Sequence, residues 1–213
     1  MAAGGKNSVA ENPPSAPKIV AVDGPAGVGK STTARILARR LGVPYFDTGA
    51  MYRAVALLVI ERGLDPGDRE AVSRLAGEAD LDLVLDGEGR VKVRLEGRSV
   101  EREIRSPAVS AASSVVSTHP EVRRRMVDLQ RQRGRSFGAV LEGRDIGTAV
   151  FPDTPYKFFL TADAAERARR RTEQLRAAGR EADVRTVEEE IRARDRRDRE
   201  RECSPLTVDD SYT

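Results

Sequence analysis

The sequence reads as an α/β protein built on a parallel sheet. Lys18-Ile19-Val20-Ala21-Val22, a short apolar run rich in β-branched residues, passes at once into the glycine-rich stretch from Gly24 to Gly29. After it, Ala34, Leu37, Ala38 and Leu41 recur at helical spacing. Gly42 stops that helix, and Val43 to Phe46 offers a second short strand. Strand, loop, helix and strand in that order are the opening of a parallel α/β sheet.

The other elements follow along the chain. Met1 to Pro17 is small, polar and proline-containing, with no apolar stretch, and reads as a flexible tail rather than a signal peptide. Between Ala50 and Arg62 the apolar set Met51, Ala54, Val55 and Leu58, widened by Leu57 and Ile60, predicts a well-buried helix. Leu81, Leu83, Leu85 and then Val91, Val93, Leu95 alternate with polar residues across Asp86-Gly87-Glu88-Gly89. That is a β-hairpin pattern, and it interrupts the α/β rhythm like a small inserted subdomain. Ser106-Pro107 supplies an N-cap with proline at the first helical position, and the helical stretch it opens breaks near His119-Pro120. Ala139-Val140-Leu141 and Tyr156 to Leu160 are two more buried strands. Each ends in polar residues, as at the carboxyl edge of a sheet where ligands bind. From Ala164 to Glu202, 13 arginines stand against 11 acidic residues, so the charge run is nearly balanced and most of it reads as solvated helical face. Two helices fit there, one closing at Gly179 and one opening with the capping box Thr186-x-x-Glu189.

Composition excludes several functions. Of 213 residues 39% are hydrophobic, enough to bury a core. Lys and Arg total 37 against 34 Asp and Glu, a net charge of +3, which argues against a uniformly basic nucleic-acid binder. One cysteine, Cys203, rules out an internal disulfide framework, and one histidine, His119, rules out chemistry that needs two imidazoles. Without tryptophan and with 4% aromatic residues, a base-stacking platform has no material. No apolar run approaches the ~20 residues of a membrane-spanning helix. The expectation is a soluble protein of the cytoplasm, with neither nucleic acid nor membrane as partner.

Gly24-Pro25-Ala26-Gly27-Val28-Gly29-Lys30-Ser31 matches G-x-x-x-x-G-K-S/T without a gap, between a strand and a helix. The glycines let the backbone curl so that N–H groups point inward at a phosphate, and the following helix adds free donors and the positive end of its dipole. Lys30 can reach the β- and γ-phosphates, and the Ser31 hydroxyl can ligate Mg²⁺. The pattern predicts binding of a nucleoside triphosphate. A guanine-reading Asn-Lys-x-Asp stretch and a transporter-type Leu-Ser-Gly-Gly signature are both absent.

Arginines mark a second anionic ligand. Arg53 lies five residues after Thr48, Arg144 and Asp145 follow the Val140-Leu141 strand, and Arg194, Asp198 and Arg201 fall at spacings of four and three on one helical face. An acceptor that is itself a phosphate monoester, with a second pKa near ~6, is already a nucleophile at neutral pH. It needs charge neutralisation by arginine forks rather than an imidazole base, which suits a chain with a single histidine. His119, beside Pro120, reads as a helix-start residue without a catalytic role.

Four ordered motifs resemble the bacterial cytidylate kinases, within the nucleoside monophosphate kinases. They are Val22 to Thr32, Asp47-Thr48-Gly49-Ala50-Met51-Tyr52-Arg53, Glu142-Gly143-Arg144-Asp145-Ile146-Gly147-Thr148 and Arg194 to Arg201, and the resemblance runs from about Ile19 to Leu206. It implies a P-loop kinase with a five-stranded parallel core sheet, a small β-rich insert on the acceptor side and a helical lid. The core would comprise about 18–47, 136–162 and 203–213, the acceptor-binding region about 48–135 and the lid about 163–202. It further implies transfer of the γ-phosphoryl of ATP to CMP and to dCMP, with Mg²⁺, by a monomer acting on small molecules.

Position by position, the resemblance assigns Gly24, Pro25, Ala26, Gly27, Val28, Gly29, Lys30, Ser31 and Thr32 to the ATP phosphates, with Ser31 on the metal. Thr48 lies near the acceptor nucleotide, and Arg53 grips its phosphate. Ser114 and Arg123, with Asp145, read the cytosine edge; Ser114 rather than Ser113 follows from counting back from Pro120. Arg144 and Arg201 bind phosphate, and Arg194 and Asp198 contact the ribose. Lys30, Arg53, Arg144 and Arg201 form the catalytic set. Two features depart from the family pattern. Glu142 stands where an aspartate is usual, one methylene longer. The family normally continues past the position of Thr213 with a last strand and helix; without them the edge of the Tyr156–Leu160 strand is expected to be open, unless the protein compensates for it in another way. The rival readings are a kinase for UMP or AMP, and a nucleotide-dependent switch module without phosphoryl transfer.

Overall fold

Alternation along β1 (Ile19–Asp23) sets up a three-layer arrangement. The computed structural model describes residues 18–213, so the expected tail over 1–17 lies outside the described residues. On one face of the sheet Val20 and Val22 meet Tyr45, Val140 and, from α1 (Lys30–Leu41), Ala34 and Ala38. On the other, Ala21 packs with Phe46, Leu141 and the apolar stripe of α2 (Gly49–Glu61). Successive side chains of a strand point to opposite faces, so one short apolar run serves both helical layers.

Four neighbours continue the sheet in parallel. β1 lies between β6 (Ala139–Glu142) and β7 (Lys157–Phe159), β2 (Tyr45–Asp47) flanks β6, and β4 (Arg90–Leu95) flanks β2. Antiparallel β3 (Leu81–Leu85) and the short β5 (Arg98–Ser99) both pair with β4. The hairpin expected around Asp86 is present. Rather than standing apart, it extends the main sheet, because β4 aligns Arg90 and Val91 with Tyr45 and Phe46 of β2. Thus β4 is the fifth parallel strand. At the opposite edge β7 is met by the chain's own Thr213, whose N–H donates to the Lys157 carbonyl at 2.9 Å while its carbonyl accepts from Phe159 N–H at 3.1 Å. The edge expected to be open is therefore paired at that point.

Helix boundaries follow their caps. Gly42 closes α1 in the left-handed conformation, with φ 65°. Ser106 caps α4 (Pro107–Val116) by accepting from Val109 N–H, and α5 (Pro120–Phe137) opens at proline after the expected break. Between the second and fourth helices the structure adds α3 (Arg69–Glu78), capped by Asp68, which the sequence reading lacks. α6 (Ala164–Ala177) ends before Gly179, as expected. α7 (Val184–Glu200) starts earlier than the Thr186 box would place it, because Asp183 accepts from the Thr186 N–H at 3.0 Å and takes the capping role itself. α6 and α7 share a small apolar cluster of Ala168, Val187 and Ile191, separate from the main core. No helix among the described residues is long and apolar enough to cross a membrane.

Candidate functional site

The carboxyl ends of β1, β2 and β6 converge on one cleft. Where β1 ends, the chain turns through Gly24 at φ 142°, where any Cβ would lie 2.2 Å from the Leu160 carbonyl oxygen, so only glycine fits. Gly29, at φ 103°, then caps α1 and accepts from Thr32 and Thr33 N–H. Ala26, Gly27, Lys30 and Ser31 line the cleft, so the positive end of α1 borders it. Behind the loop, Asp23 is wholly buried. Its carboxylate accepts from Ile146 N–H at 3.0 Å, Gly147 N–H at 2.9 Å and the Tyr212 hydroxyl at 2.8 Å, which ties the loop to the segment that follows Arg144 and Asp145. Burial pushes the Asp23 carboxyl up in spite of these donors.

The cleft, about 480 Å³, carries eight cationic side chains (Lys30, Arg53, Arg105, Arg123, Arg144, Arg171, Arg194, Arg201) against four carboxylates (Asp47, Glu142, Asp145, Asp198). Arg53 pairs with Asp47 at 2.6 Å, and Arg144 Nε donates to Asp198 at 2.8 Å. Asp145 accepts from Arg123 on one oxygen and lies 3.4 Å from Arg201 on the other. Arg194 is different: its buried Nε has no partner, and burial followed by the charge of Arg144 brings its guanidinium down to about 10, with Asp198 only partly offsetting. Lys30, whose ammonium donates to the Pro25 carbonyl at 2.6 Å, is likewise held well below its ordinary value by burial and by Arg144. Both groups gain if an anion enters, because it supplies the missing counter-charge. Asp198 keeps its charge: burial would raise it, but Arg144, Arg194 and Arg201 together hold it below the usual carboxylate value.

Glu142, at the end of β6, accepts from the Ser31 hydroxyl at 2.9 Å and from the Tyr45 hydroxyl, and burial followed by the nearby Asp47 raises its carboxyl. The only imidazole in the chain, His119, meets the Pro66 carbonyl at 2.8 Å, and His119 is not among the residues lining the cleft.

Of the residues the sequence singles out, Lys30, Ser31, Thr48, Arg53, Arg123, Arg144, Asp145, Arg194, Asp198 and Arg201 all line this one cleft. Gly24, Pro25, Val28, Gly29 and Thr32 shape the loop without lining it. Ser114 does not line it either: its hydroxyl accepts from Arg197 Nε of α7 at 3.0 Å, while Ser113, one helical step away, does line the cleft. Thr48 lines the cleft with its hydroxyl committed to the Glu142 carbonyl at 2.7 Å. Sequence reasoning missed Tyr45, Asp47 as the partner of Arg53, Tyr52 beneath the Arg123 guanidinium at 5.5 Å, and Arg171. Asp47 was findable, since it sits six positions before Arg53 at a strand end. Tyr45 was not, because its carboxylate partner is 97 positions away.

The cytidylate kinase family model matches residues 20–212. A cytidylate kinase of Pelotomaculum thermopropionicum is 53% identical over 187 residues, covering 88% of this chain and 83% of that protein. One from Symbiobacterium thermophilum is 51% identical over 180 residues, covering 84% of this chain and 80% of its own. The bifunctional pantoate ligase/cytidylate kinase of Synechococcus elongatus is 50% identical over 192 residues, 88% of this chain, which spans only 36% of that longer protein.

Proposed function

This chain belongs to the cytidylate kinase family, and on that premise we propose how its cleft carries ATP-dependent phosphorylation of CMP. The γ-phosphoryl of ATP passes to the phosphate of CMP, giving CDP and ADP; dCMP is a second acceptor. The observation that carries the reading is the excess of four cations in a cleft that begins at the phosphate loop, with the Arg194 Nε unpartnered. One triphosphate on Lys30 and the loop would leave Arg144, Arg53 of α2 and Arg194 of α7 without a ligand. A second phosphate ester satisfies them.

In this reading Lys30 and the backbone of Gly24 to Thr32 hold the donor phosphates, and Arg53 holds the acceptor phosphate. Arg144 and Arg201, fixed by Asp198 and Asp145, spread their charge over the phosphoryl group in transfer. The acceptor is a dianion above pH ~6 and needs no side chain to deprotonate it. Arg123, Asp145 and the serines of α4 border the cytosine, and Arg194 and Asp198 border the ribose. The hard oxygens of Ser31 and Glu142, 2.9 Å apart, fit Mg²⁺, which takes one or two protein oxygens and completes its shell with water and substrate phosphate. When bound, the ion neutralises charge on the β- and γ-phosphate oxygens.

α6 and α7 serve as the lid. Their apolar cluster is their own, and Arg167 joins them to the loop by donating to the Ala26 carbonyl at 2.9 Å and to Asp195 at 2.6 Å. Closure excludes the water that would otherwise hydrolyse ATP. The test is product analysis by anion-exchange chromatography after incubation with ATP, Mg²⁺ and CMP. Equal amounts of CDP and ADP are expected; ADP and inorganic phosphate without CDP would contradict the reading.

A further inference from the structure

We propose that Tyr45 is a positioning residue, its phenol holding the long Glu142 side chain so that the carboxylate stays on the Ser31 hydroxyl where a divalent cation joins the nucleotide. The inference rests on the kinase reading above for the role of Ser31.

Strand register explains how the three groups meet. β2 pairs in parallel with β6, placing Tyr45 opposite Val140 and Asp47 opposite Glu142, so Tyr45 and Glu142 share a face of the sheet two positions apart. That face is the one α1 covers, and Ser31 lies in the first turn of α1. The result is a closed ring of contacts. Tyr45 OH donates to Glu142 Oε1, Ser31 Oγ donates to Glu142 Oε2 at 2.9 Å, and Arg35 Nε donates to the Ser31 carbonyl at 2.9 Å. The Arg35 guanidinium closes it, 6.0 Å from the centre of the Tyr45 ring.

Two physical consequences follow. A serine that gives its proton to a carboxylate presents its lone pairs elsewhere, as a metal ligand must. A glutamate has one more rotatable bond than an aspartate, and an unheld carboxylate would desert the hydroxyl for Lys30 or for solvent. The phenol removes that freedom. In the structure its hydroxyl donates to Glu142 Oε1.

The experiment is calorimetric titration of ADP into the full chain with and without Mg²⁺, for wild type and Tyr45→Phe. The ring is kept, so packing beneath α1 is preserved. Metal-free ADP affinity is expected to be unchanged, while the tightening produced by Mg²⁺ falls by about 10–100-fold, the usual cost of losing a group that orients a metal ligand. In the Glu142→Asp background, where the carboxylate is too short to reach the phenol, Tyr45→Phe should have no further effect. Equal weakening with and without Mg²⁺, an unaltered Mg²⁺ effect, or full additivity with Glu142→Asp would each overturn the proposal. Should Tyr45→Phe not fold, Tyr45→Leu, which also lacks the hydroxyl, is titrated in the same way and the same outcomes decide. None of these readouts needs turnover, so a failure of wild type to phosphorylate CMP would count against the kinase reading and leave this result separate.

Discussion

The inner and outer faces of α6 and α7 are both built on acid–arginine pairs and behave in opposite ways. On the outside, Glu166 pairs with Arg169 and Arg170, Glu173 with Arg169 and Glu188 with Arg192, with the arginines half exposed. On the inside, Asp195 pairs with Arg167 and Asp198 with Arg144, and both aspartates are buried. The outer acids are glutamates one turn or less from their partners on the same helix. The inner ones are aspartates, and each reaches an arginine on another element. Outer pairs gain little, because water and salt screen them and two long side chains lose freedom. Inner pairs repay a large desolvation cost only while both members are present. A balanced charge run can therefore hide a few charges that hold the molecule together, among many that only face water.

The largest expected effect comes from breaking an inner pair. Asp195→Ala should lower stability by about 3–5 kcal/mol, because it strands Arg167 in the interior. Chemical denaturation measures it, and a loss no greater than that of an outer glutamate would erase the contrast. Lys30→Ala should cost about 10²–10³ in kcat with the denaturation midpoint retained; near-normal turnover would remove the loop from the chemistry. Arg53→Ala should raise the KM for CMP by about tenfold or more while that for ATP moves less, as expected for a lost charged hydrogen bond. Equal losses would mean misfolding. The smallest effect belongs to Glu166→Gln. Although Arg169 and Arg170 hold that carboxyl down to about 2, these pairs lie at the solvent-facing surface, and both midpoint and turnover should match wild type.

Much of this was legible locally. The phosphate loop, the strands around it, the Gly42 stop and the Ser106 cap each depend on a few adjacent residues whose conformational preferences are strong. α3 went unread because its buried stripe is only Val72 and Ala76, too thin to stand out from a loop. The start of α7 was misplaced because two capping signals overlap, and the aspartate three residues upstream won. That the hairpin belongs to the main sheet depends on pairing between Tyr45 and Arg90, which alternation within the hairpin cannot reveal. In the cleft, the arginines announced themselves by number and spacing. Their partners did not: Asp23 meets Tyr212 across 189 positions, and Glu142 meets Tyr45 across 97.

The central claim is that the arginines of the cleft receive CMP beside ATP. The most direct measurement is kcat/KM for CMP, UMP and AMP at saturating ATP, followed by ADP release. CMP should exceed both others by more than about tenfold, since a site that hydrogen-bonds the cytosine edge leaves buried polar groups unpaired with any other base. Equal rates for all three, or a preference for AMP or UMP, would contradict it.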